Sequence, residues 1–461
     1  HWSKSISLTI LAAMVLVSVF NLHNVVNHGE VRYAFSGWAA PLGIEWVADG
    51  LASAMLVLLS VLGLLGVVFT GSTSPKGLGG RIVHYYTLIL LFFSALAGIV
   101  FARDFFNIFV FLEVAAISSY ALIGVAGGRA LFAAFRYLIL GTIGASIYLL
   151  GVSYLYAVTG TLNMADMADK LPFLLGSKAL VGGLLFIFIG LGIKMALVPF
   201  HGWMPEAYTY APDSVSPIMA SLLTKVVLLA WVRIIYWVLN ASIVIFDIPI
   251  LQLVAVLGAL AAVIGASLAL AQRNIKMMFA YGGISHIGII LIGIGQGNQT
   301  GFVGGIFYLL NDAVMQAALF FIAGVAFCQY GVRTIDELGR VGKQAPWLIG
   351  SLIIVGLGMI GLPPTGGFFG KWNIILGALE ADNYVSVAAV LLSTLLTLAY
   401  FVKLFEGIFR QTPTRLDAQF GEFPLSFKMT LGVTSAAIML LGLFSSPIVQ
   451  LLLNHALPPS F

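Results

Sequence analysis

The sequence predicts an all-α membrane protein with about thirteen transmembrane helices. Of its 461 residues, 60% are hydrophobic and only 9% are charged, and the mean hydropathy is +1.05. A soluble globular protein cannot bury that much apolar surface, so much of it must face lipid. The apolar segments lack the alternating ten-residue pattern of a membrane β-barrel, which leaves helices as the spanning elements.

Apolar windows of about 20 residues, the length that crosses the hydrocarbon core, recur along the whole chain. The stretches between them are shorter and carry most of the charged residues. The windows predict thirteen spans, near 5–26, 50–70, 82–102, 105–125, 130–158, 178–200, 213–238, 247–271, 276–295, 302–328, 347–378, 384–409 and 428–453.

Two of these spans are interrupted by proline. Pro199 breaks the span in "GIKMALVPFHGWMPEA" (192–207), and Pro363 and Pro364 break "GLPPTGGFFGKW" (361–372). Proline has no N–H and clashes with the preceding turn, so a helix ends or kinks there. Matching broken helices in two halves of a chain indicate inverted repeats with a transport site at their interface. The alternative is that proline and glycine are simply frequent in membrane helices.

The predicted organisation has four parts. N-terminal helices in 1–81 precede a first repeat in 82–238 and a second repeat in 239–410, and a C-terminal helix lies in 411–461. Each repeat contains five spans, and an odd number of spans forces the two repeats into opposite orientations in the membrane.

The connections differ in basic residues from one side of the membrane to the other, and lysine and arginine favour the cytoplasmic side. The poorer side holds Arg32, Arg103, Lys170 and Lys178. The richer side, predicted to be cytoplasmic, holds Lys4, Lys76, Arg81, Arg129, Arg273, Lys276, Arg333, Arg340, Lys343, Arg410, Arg415 and Lys428.

Several ionisable side chains fall inside the predicted spans. A charge at the centre of the bilayer costs about 2.5–3.5 kcal/mol on insertion scales, so such residues mark functional sites. A buried lysine can be poised to exchange its proton, because desolvation lowers its pKa while a nearby carboxylate raises it, and histidine can relay protons at ordinary pH. The candidate site residues are Glu113, Lys194, Lys225, His286 and Lys371, with Asp312, His201, Ser285 and Gln316 as further members of an ion pathway.

Each candidate has a structural alternative. Glu113 could be a buried carboxyl capped by Ser118 or Ser119, and Lys194 or Lys225 could belong to static ion pairs that hold helices together. His286 could be a packing residue, although the neighbouring Tyr281 and Ser285 favour a polar role, as Asn311 and Gln316 do for Asp312. Lys371 could reach water from a helix end. Arg233 and Lys403 lie near the ends of predicted helices, so we expect their charged groups to reach water as well. Arg103 and Asp104 lie at a junction between two spans, where we expect a solvated interfacial pair.

The motifs of cofactor and metal enzymes are missing from the sequence. A single cysteine, Cys328, excludes a disulfide framework and a multi-cysteine metal or iron–sulfur site. The stretch before Trp372 lacks the spacing and the Ser/Thr of a phosphate loop, and the seven histidines are not grouped as metal ligands. We therefore expect no cofactor and no metal, and a transporter of protons or small cations. The alternatives are a stand-alone secondary transporter of a small solute and a redox subunit with its own cofactor.

Four stretches resemble the antiporter-like, proton-translocating subunits of respiratory complex I, Mrp cation/proton antiporters and membrane-bound hydrogenases. They are "FVFLEVAAISSYALIG", "GIKMALVPFHGWMPEAYTYAPDSVSPIMASLLTKV", "RNIKMMFAYGGISHIG" and "GLPPTGGFFGKW". The stretch "GWAAPLGIEWVADGLASAML" most resembles the Mrp D-type subunit. The resemblance implies fourteen helices, with two inverted five-helix repeats whose broken helices are the seventh and twelfth. Thirteen spans here would then mean that the family's first helix is missing.

The resemblance also implies roles, and it implies that Glu113 and Lys194 form a pair. Glu113 matches the family's fifth-helix glutamate, Lys194 and Lys225 its lysines of the seventh and eighth helices, His286 its tenth-helix histidine and Lys371 its twelfth-helix lysine. The eleventh helix departs from the family, because Asp312 and Gln316 replace His-x-x-x-Lys.

The function implied is translocation of H⁺, with Na⁺ as a second candidate ion, in a prokaryotic plasma membrane. The implied partners are a homologous antiporter-like subunit, small membrane subunits and the lipid bilayer, and no nucleic acid. The whole complex could be a redox-driven enzyme, but this subunit is expected to have no redox or hydrolytic site of its own.

Overall fold

The structure, a computed structural model, describes residues 2–73, 81–174, 176–241, 244–245, 248–341, 345–409, 423–459 and 461. α-Helices dominate this part of the chain. They are α1 (Trp2–His28), α2 (Gly50–Thr73), α3 (Ile82–Phe101), α4 (Phe105–Gly124), α5 (Arg129–Thr159), α6 (Met164–Lys170), α7 (Lys178–Lys194), α8 (Met204–Tyr210), α9 (Ser216–Arg233), α10 (Ile250–Ala271), α11 (Ile275–Ile294), α12 (Gln299–Tyr330), α13 (Pro346–Ile360), α14 (Gly366–Glu380), α15 (Tyr384–Phe409), α16 (Leu425–Leu443) and α17 (Ser445–His455).

The prediction of an all-α membrane protein is confirmed. Among the described residues, 11 helices are long and apolar enough to cross a membrane. The predicted windows 178–200 and 347–378 are not among them, because each is divided at a break, between α7 and α8 and between α13 and α14. The predicted span near 428–453 contains α16, which ends at Leu443, and its last part is a separate helix, α17, which begins at Ser445. The predicted loop charges Lys76, Lys343, Arg410 and Arg415 lie outside the described residues.

Short strands, which the sequence did not predict, occupy two connections. Between α1 and α2, strand β1 (Val31–Ala34) pairs antiparallel with β2 (Glu45–Ala48). Before α10, β3 (Val244–Ile245) pairs antiparallel with β4 (Ile248–Pro249). Both pairs lie in loops and leave the helical class unchanged.

The same backbone connection occurs once in each predicted repeat. In both repeats, the backbone N–H of the first residue of the second helix donates to a carbonyl of the loop that follows the third helix. A backbone N–H just after that loop carbonyl donates to a carbonyl just before the second helix. The hydrogen bonds run from Phe105 to Leu162 O (3.0 Å) and from Met164 to Arg103 O (2.9 Å), and from Ile275 to Arg333 O (3.0 Å) and from Ile335 to Arg273 O (3.0 Å). The two connections therefore have equivalent donors and acceptors, as two copies of one structural unit would have.

Close packing of α5 against α7 depends on glycine. A Cβ added at Gly190 would lie 2.6 Å from Gly144 O and 2.7 Å from the backbone nitrogen of Tyr148. At Gly182, on the same helix, an added Cβ would meet nothing within 4 Å. Small residues let membrane helices approach closely, and here the approach holds the first broken helix in place.

We expect Gly190→Ala to destabilise the protein by about 1–3 kcal/mol, because α5 has to move away from α7. Gly182→Ala adds the same methyl group to the same helix in open space, so it should be neutral or stabilising. Thermal unfolding of the detergent-purified complex, followed by loss of helical circular dichroism, measures both. Equal stability of the two variants would contradict the packing argument.

Candidate functional site

The first break is built by a sequence that cannot continue a helix. α7 ends at Lys194, Ala196 takes φ +58°, and Pro199 provides no N–H for an intrahelical bond. The carbonyls at the end of α7 therefore need other donors. One donor is the indole of Trp203, which donates to Ile193 O at 2.8 Å.

Lys194 and Glu113 form an ion pair at this break. The Nζ of Lys194 lies 2.9 Å from Oε1 of Glu113, which α4 supplies. The lysine side chain is 3% exposed and the glutamate side chain is 27% exposed. The alternative in which hydroxyls cap Glu113 is wrong, because Ser118 and Ser119 donate to the carbonyls of Val114 and Ala115.

A second charged group lies fully inside the molecule, between α9, α11 and α12. The Nζ of Lys225 lies 2.9 Å from Oδ2 of Asp312, and Nδ1 of His286 lies 3.0 Å from Oδ1 of the same carboxyl. All three side chains are buried. Lys225 also donates to Ala220 O at 2.9 Å. Asp312 thus serves two basic groups at once, a role that its position in the sequence did not reveal.

Lys371 lies beyond His286, at the second break. The hydroxyl of Tyr308 is 2.9 Å from Nδ1 of His286, and Nζ of Lys371 is 5.9 Å from the centre of the Tyr308 ring. Lys371 donates to Met359 O (2.9 Å) and Ile360 O (3.2 Å), the carbonyls left free where α13 ends. Lys371 is buried, which excludes the alternative of a lysine reaching water from a helix end.

The three remaining candidates occupy different surroundings. Ser285 donates to Ala262 O at 2.7 Å, which fixes α11 against α10 rather than placing the hydroxyl beside His286. His201 lies in the 3-10 turn of the first break, 6.3 Å from the Tyr281 ring. Gln316 is buried one turn after Asp312 on α12.

An outer ion cluster was missed by the sequence reasoning. Arg233 was expected to reach water from a helix end, and Arg103 to pair with Asp104. Both expectations are wrong: Nη2 of Arg233 lies 2.9 Å from Oδ1 of Asp49, and Nη2 of Arg103 lies 2.5 Å from its Oδ2. Arg233 is only 1% exposed, and Asp104 instead caps α4 by accepting from the N–H of Asn107. Two sequence signals could have indicated this cluster: Asp49 lies just before one predicted span, and Arg233 lies near the end of another.

No group of three or more His, Cys, Asp or Glu side chains that could hold a metal ion is found among the residues placed by the structure. A separate observation is a row of side chains that can exchange protons. The row runs through Lys225, Asp312, His286, Tyr308 and Lys371.

Comparison with known families agrees with this arrangement. A family described as "NADH:quinone oxidoreductase/Mrp antiporter, TM" matches residues 102–397, which include both breaks and every charged member of the row. The chain belongs to this family. It is an antiporter-like membrane subunit. Membership of this family does not favour either alternative from the sequence analysis, the stand-alone transporter or the redox subunit with its own cofactor.

Two relatives and one solved structure show how far the similarity extends. The chain is 39% identical to the N-type subunit of the NADH-quinone oxidoreductase of Desulforudis audaxviator, over 97% of this chain and 91% of that protein. It is 30% identical to the D-type subunit of the Na⁺/H⁺ antiporter of Alkalihalophilus pseudofirmus, over 97% and 90%. A chain of the Mrp complex from Dietzia sp. DQ12-45-1b superposes with a TM-score of 0.89 at 25% identity, over 98% of this chain and 91% of that one. These relatives are subunits of multi-subunit membrane assemblies.

We expect Asp312→Ala to lower the free energy of unfolding by about 3–5 kcal/mol, because it leaves Lys225 without its buried counter-charge. Lys225→Met combined with Asp312→Leu removes both charges and should recover most of that loss. Thermal unfolding of the purified complex provides the measurement. A double variant less stable than Asp312→Ala would show that the ion pair is not the main contribution of Asp312.

Proposed function

We propose that the chain carries protons across the membrane as an antiporter-like subunit, through Glu113, Lys194, Lys225, Asp312, His286 and Lys371. The observation that carries the proposal is the buried Lys225–Asp312–His286 group, a carboxyl held between two bases within 3.0 Å of each. A proton can move between such groups with little rearrangement of heavy atoms. Ion pairs of this kind inside a membrane mark proton relays in pumps and transporters.

The Glu113–Lys194 pair controls the first step. While the pair is closed, Glu113 holds Lys194 in its charged form, because an opposite charge within about 4–6 Å favours ionisation. When the pair opens, the buried lysine gives up its proton more readily, since burial disfavours the ammonium. The proton then moves towards Lys225, and events in neighbouring subunits set whether the pair is open.

Asp312 takes the place of the basic residue that the family resemblance implies. Its two carboxyl oxygens already face Lys225 and His286, at 2.9 Å and 3.0 Å. A carboxyl with both oxygens faced by basic groups has little capacity left for a Na⁺ ion, which needs several oxygen ligands. This supports H⁺ over Na⁺ as the ion that passes this point.

The membrane orientation and the partners complete the proposal. The Lys- and Arg-rich connections face the cytoplasm of a prokaryotic plasma membrane. Neighbouring membrane subunits cover the partly exposed charged side chains, among them Glu113 and the Arg136–Glu206 pair. Nη1 of Arg136 lies 2.6 Å from Oε2 of Glu206, with side chains 42% and 32% exposed. Lipid cannot compensate such charges, so a polypeptide is the expected neighbour.

Lys194→Ala and Glu113→Ala should each reduce proton translocation at least about a hundredfold, the usual scale for losing a positioned proton carrier. The complex should still assemble, because the pair lies at a break whose aromatic contacts remain. The measurement is quenching of a ΔpH-sensitive dye in inverted membrane vesicles that contain the complex, energised by its own substrate or by an imposed gradient. Lys170→Ala, at a partly exposed pair with Asp166, is the control. Normal translocation in both variants would refute the proposal.

The choice of ion is tested by replacing Na⁺ with choline in the vesicle medium. Because Asp312 is occupied by Lys225 and His286, we expect the same initial rate of ΔpH formation in both media. A strict requirement for Na⁺ would instead identify a cation site along the pathway and overturn the assignment of H⁺ as the sole ion.

A further inference from the structure

One ring nitrogen of His286 has two hydrogen-bonding neighbours of different character. Nδ1 lies 3.0 Å from Oδ1 of Asp312 and 2.9 Å from the hydroxyl oxygen of Tyr308. Both neighbours belong to α12, and Tyr308 precedes Asp312 by four residues, so successive turns of one helix present them to α11. All three side chains are fully buried. The carboxyl and the hydroxyl therefore compete for the same nitrogen.

The competition concerns the place of the imidazole proton. A neutral imidazole carries one proton, on Nδ1 or on Nε2, and only the nitrogen without a proton can accept another. An ionised carboxyl only accepts hydrogen bonds, so Asp312 favours the ring with its proton on Nδ1. The Tyr308 hydroxyl can donate to Nδ1 only when that nitrogen is bare, so this donation favours the ring with its proton on Nε2.

Packing holds the Tyr308 hydroxyl beside His286. The two rings stack with their centres 5.5 Å apart and their planes 28° apart. The Tyr308 ring also packs directly on the backbone of α14, because a Cβ added at Gly370 would lie 2.7 Å from its Cδ2. The ring therefore has little room to turn, and its hydroxyl is fixed on Nδ1 by shape as well as by the hydrogen bond.

The other ring nitrogen has different surroundings. Nε2 of His286 is buried and has no hydrogen-bond partner within the part of the chain that the structure describes. A proton on Nε2 is therefore not held by an acceptor from these residues, whereas a proton on Nδ1 is held by the carboxylate of Asp312 in a charge-assisted hydrogen bond. Only the ring with its proton on Nε2 can take up a proton at Nδ1 and release one at the other nitrogen.

We propose that Tyr308 is a positioning residue that keeps neutral His286 in the form with its proton on Nε2. This rests on the proposed function. Asp312, protonated by Lys225, gives its proton to the bare Nδ1: an O–H bond breaks, an N–H bond forms, and Asp312 is a carboxylate again. The Nε2–H bond of the imidazolium then breaks, its electron pair stays on the ring, and the proton leaves towards Lys371. The Tyr308 hydroxyl next favours return of the remaining ring proton from Nδ1 to Nε2.

Tyr308→Phe removes the hydroxyl and keeps the ring that packs on Gly370. We expect proton translocation in inverted vesicles to fall about tenfold, the change in rate that one hydrogen bond of ordinary strength supplies. Replacing Tyr308 by a ring-fluorinated tyrosine keeps a donor hydroxyl and should preserve the rate. Tyr148→Phe is the matched control, because it removes a buried hydroxyl that donates to Phe105 O at 2.9 Å, and it should translocate normally.

A second measurement locates the ring proton itself. Infrared spectra of the purified complex, prepared with isotopically labelled histidine, contain ring-stretching bands that differ between the two neutral forms of imidazole. Subtracting the spectrum of His286→Gln isolates the contribution of His286. We expect Tyr308→Phe to increase the fraction with the proton on Nδ1, and Tyr148→Phe to leave it unchanged. A purely structural role of Tyr308 would not move the proton from one nitrogen to the other.

The outcomes separate this inference from the proposed function. If Tyr308→Phe leaves the distribution of the ring proton unchanged, the inference is wrong, even where translocation slows. A changed distribution with a normal rate of translocation would also overturn it. If Lys194→Ala and Glu113→Ala both retain normal translocation, the proposed function fails, while the infrared bands still report on Tyr308, since they require no translocation.

Discussion

A charge in hydrocarbon requires a compensating group, and this requirement organises the structure. Lys194 is matched by Glu113, and Lys225 and His286 are matched by Asp312. Lys371 is held by carbonyls that the second break sets free. Each arrangement joins different helices, so the placement of charge also determines which helices pack together. Removing one member leaves another uncompensated at a cost of several kcal/mol, which couples stability to the proton path.

At each of the two breaks, a buried lysine and the backbone carbonyls freed at a helix end need partners, and the two breaks provide these partners differently. At the first, Lys194 is the last residue of α7, where the helix dipole favours a cation, and an indole satisfies the freed carbonyl. At the second, Lys371 lies after the break and reaches back to the carbonyls of α13. A lysine therefore stands at both breaks, but only Lys194 has a carboxylate as its partner among the ion pairs that the described residues form.

Hydropathy and proline positions were sufficient to predict the helical class, most of the spans and both breaks, because these depend on local sequence. The pairings could not be derived in this way. Glu113 and Lys194 are 81 residues apart, and Asp49 and Arg233 are 184 apart, so tertiary packing alone brings them together. The family resemblance supplied the first pairing but not the second. Asp312 was recognised as a departure, whereas its double role became visible only when α9, α11 and α12 were placed side by side.

The outer cluster has a mechanical consequence. Asp49 ties the end of α9 to the start of α2 and to the α3–α4 junction through Arg233 and Arg103, and a π-helical turn, Ile234–Val238, follows directly. That end of α9 is a fixed pivot. At the other end, Nζ of Lys276 on α11 donates to Oγ of Ser216, the first residue of α9, at 3.1 Å. The two ends of α9 are therefore held differently, by charge-assisted arginine–carboxylate contacts at Arg233 and by a lysine–hydroxyl contact at Ser216, and Lys225 lies between them, so a change of its charge acts on a helix that is anchored more firmly at one end than at the other.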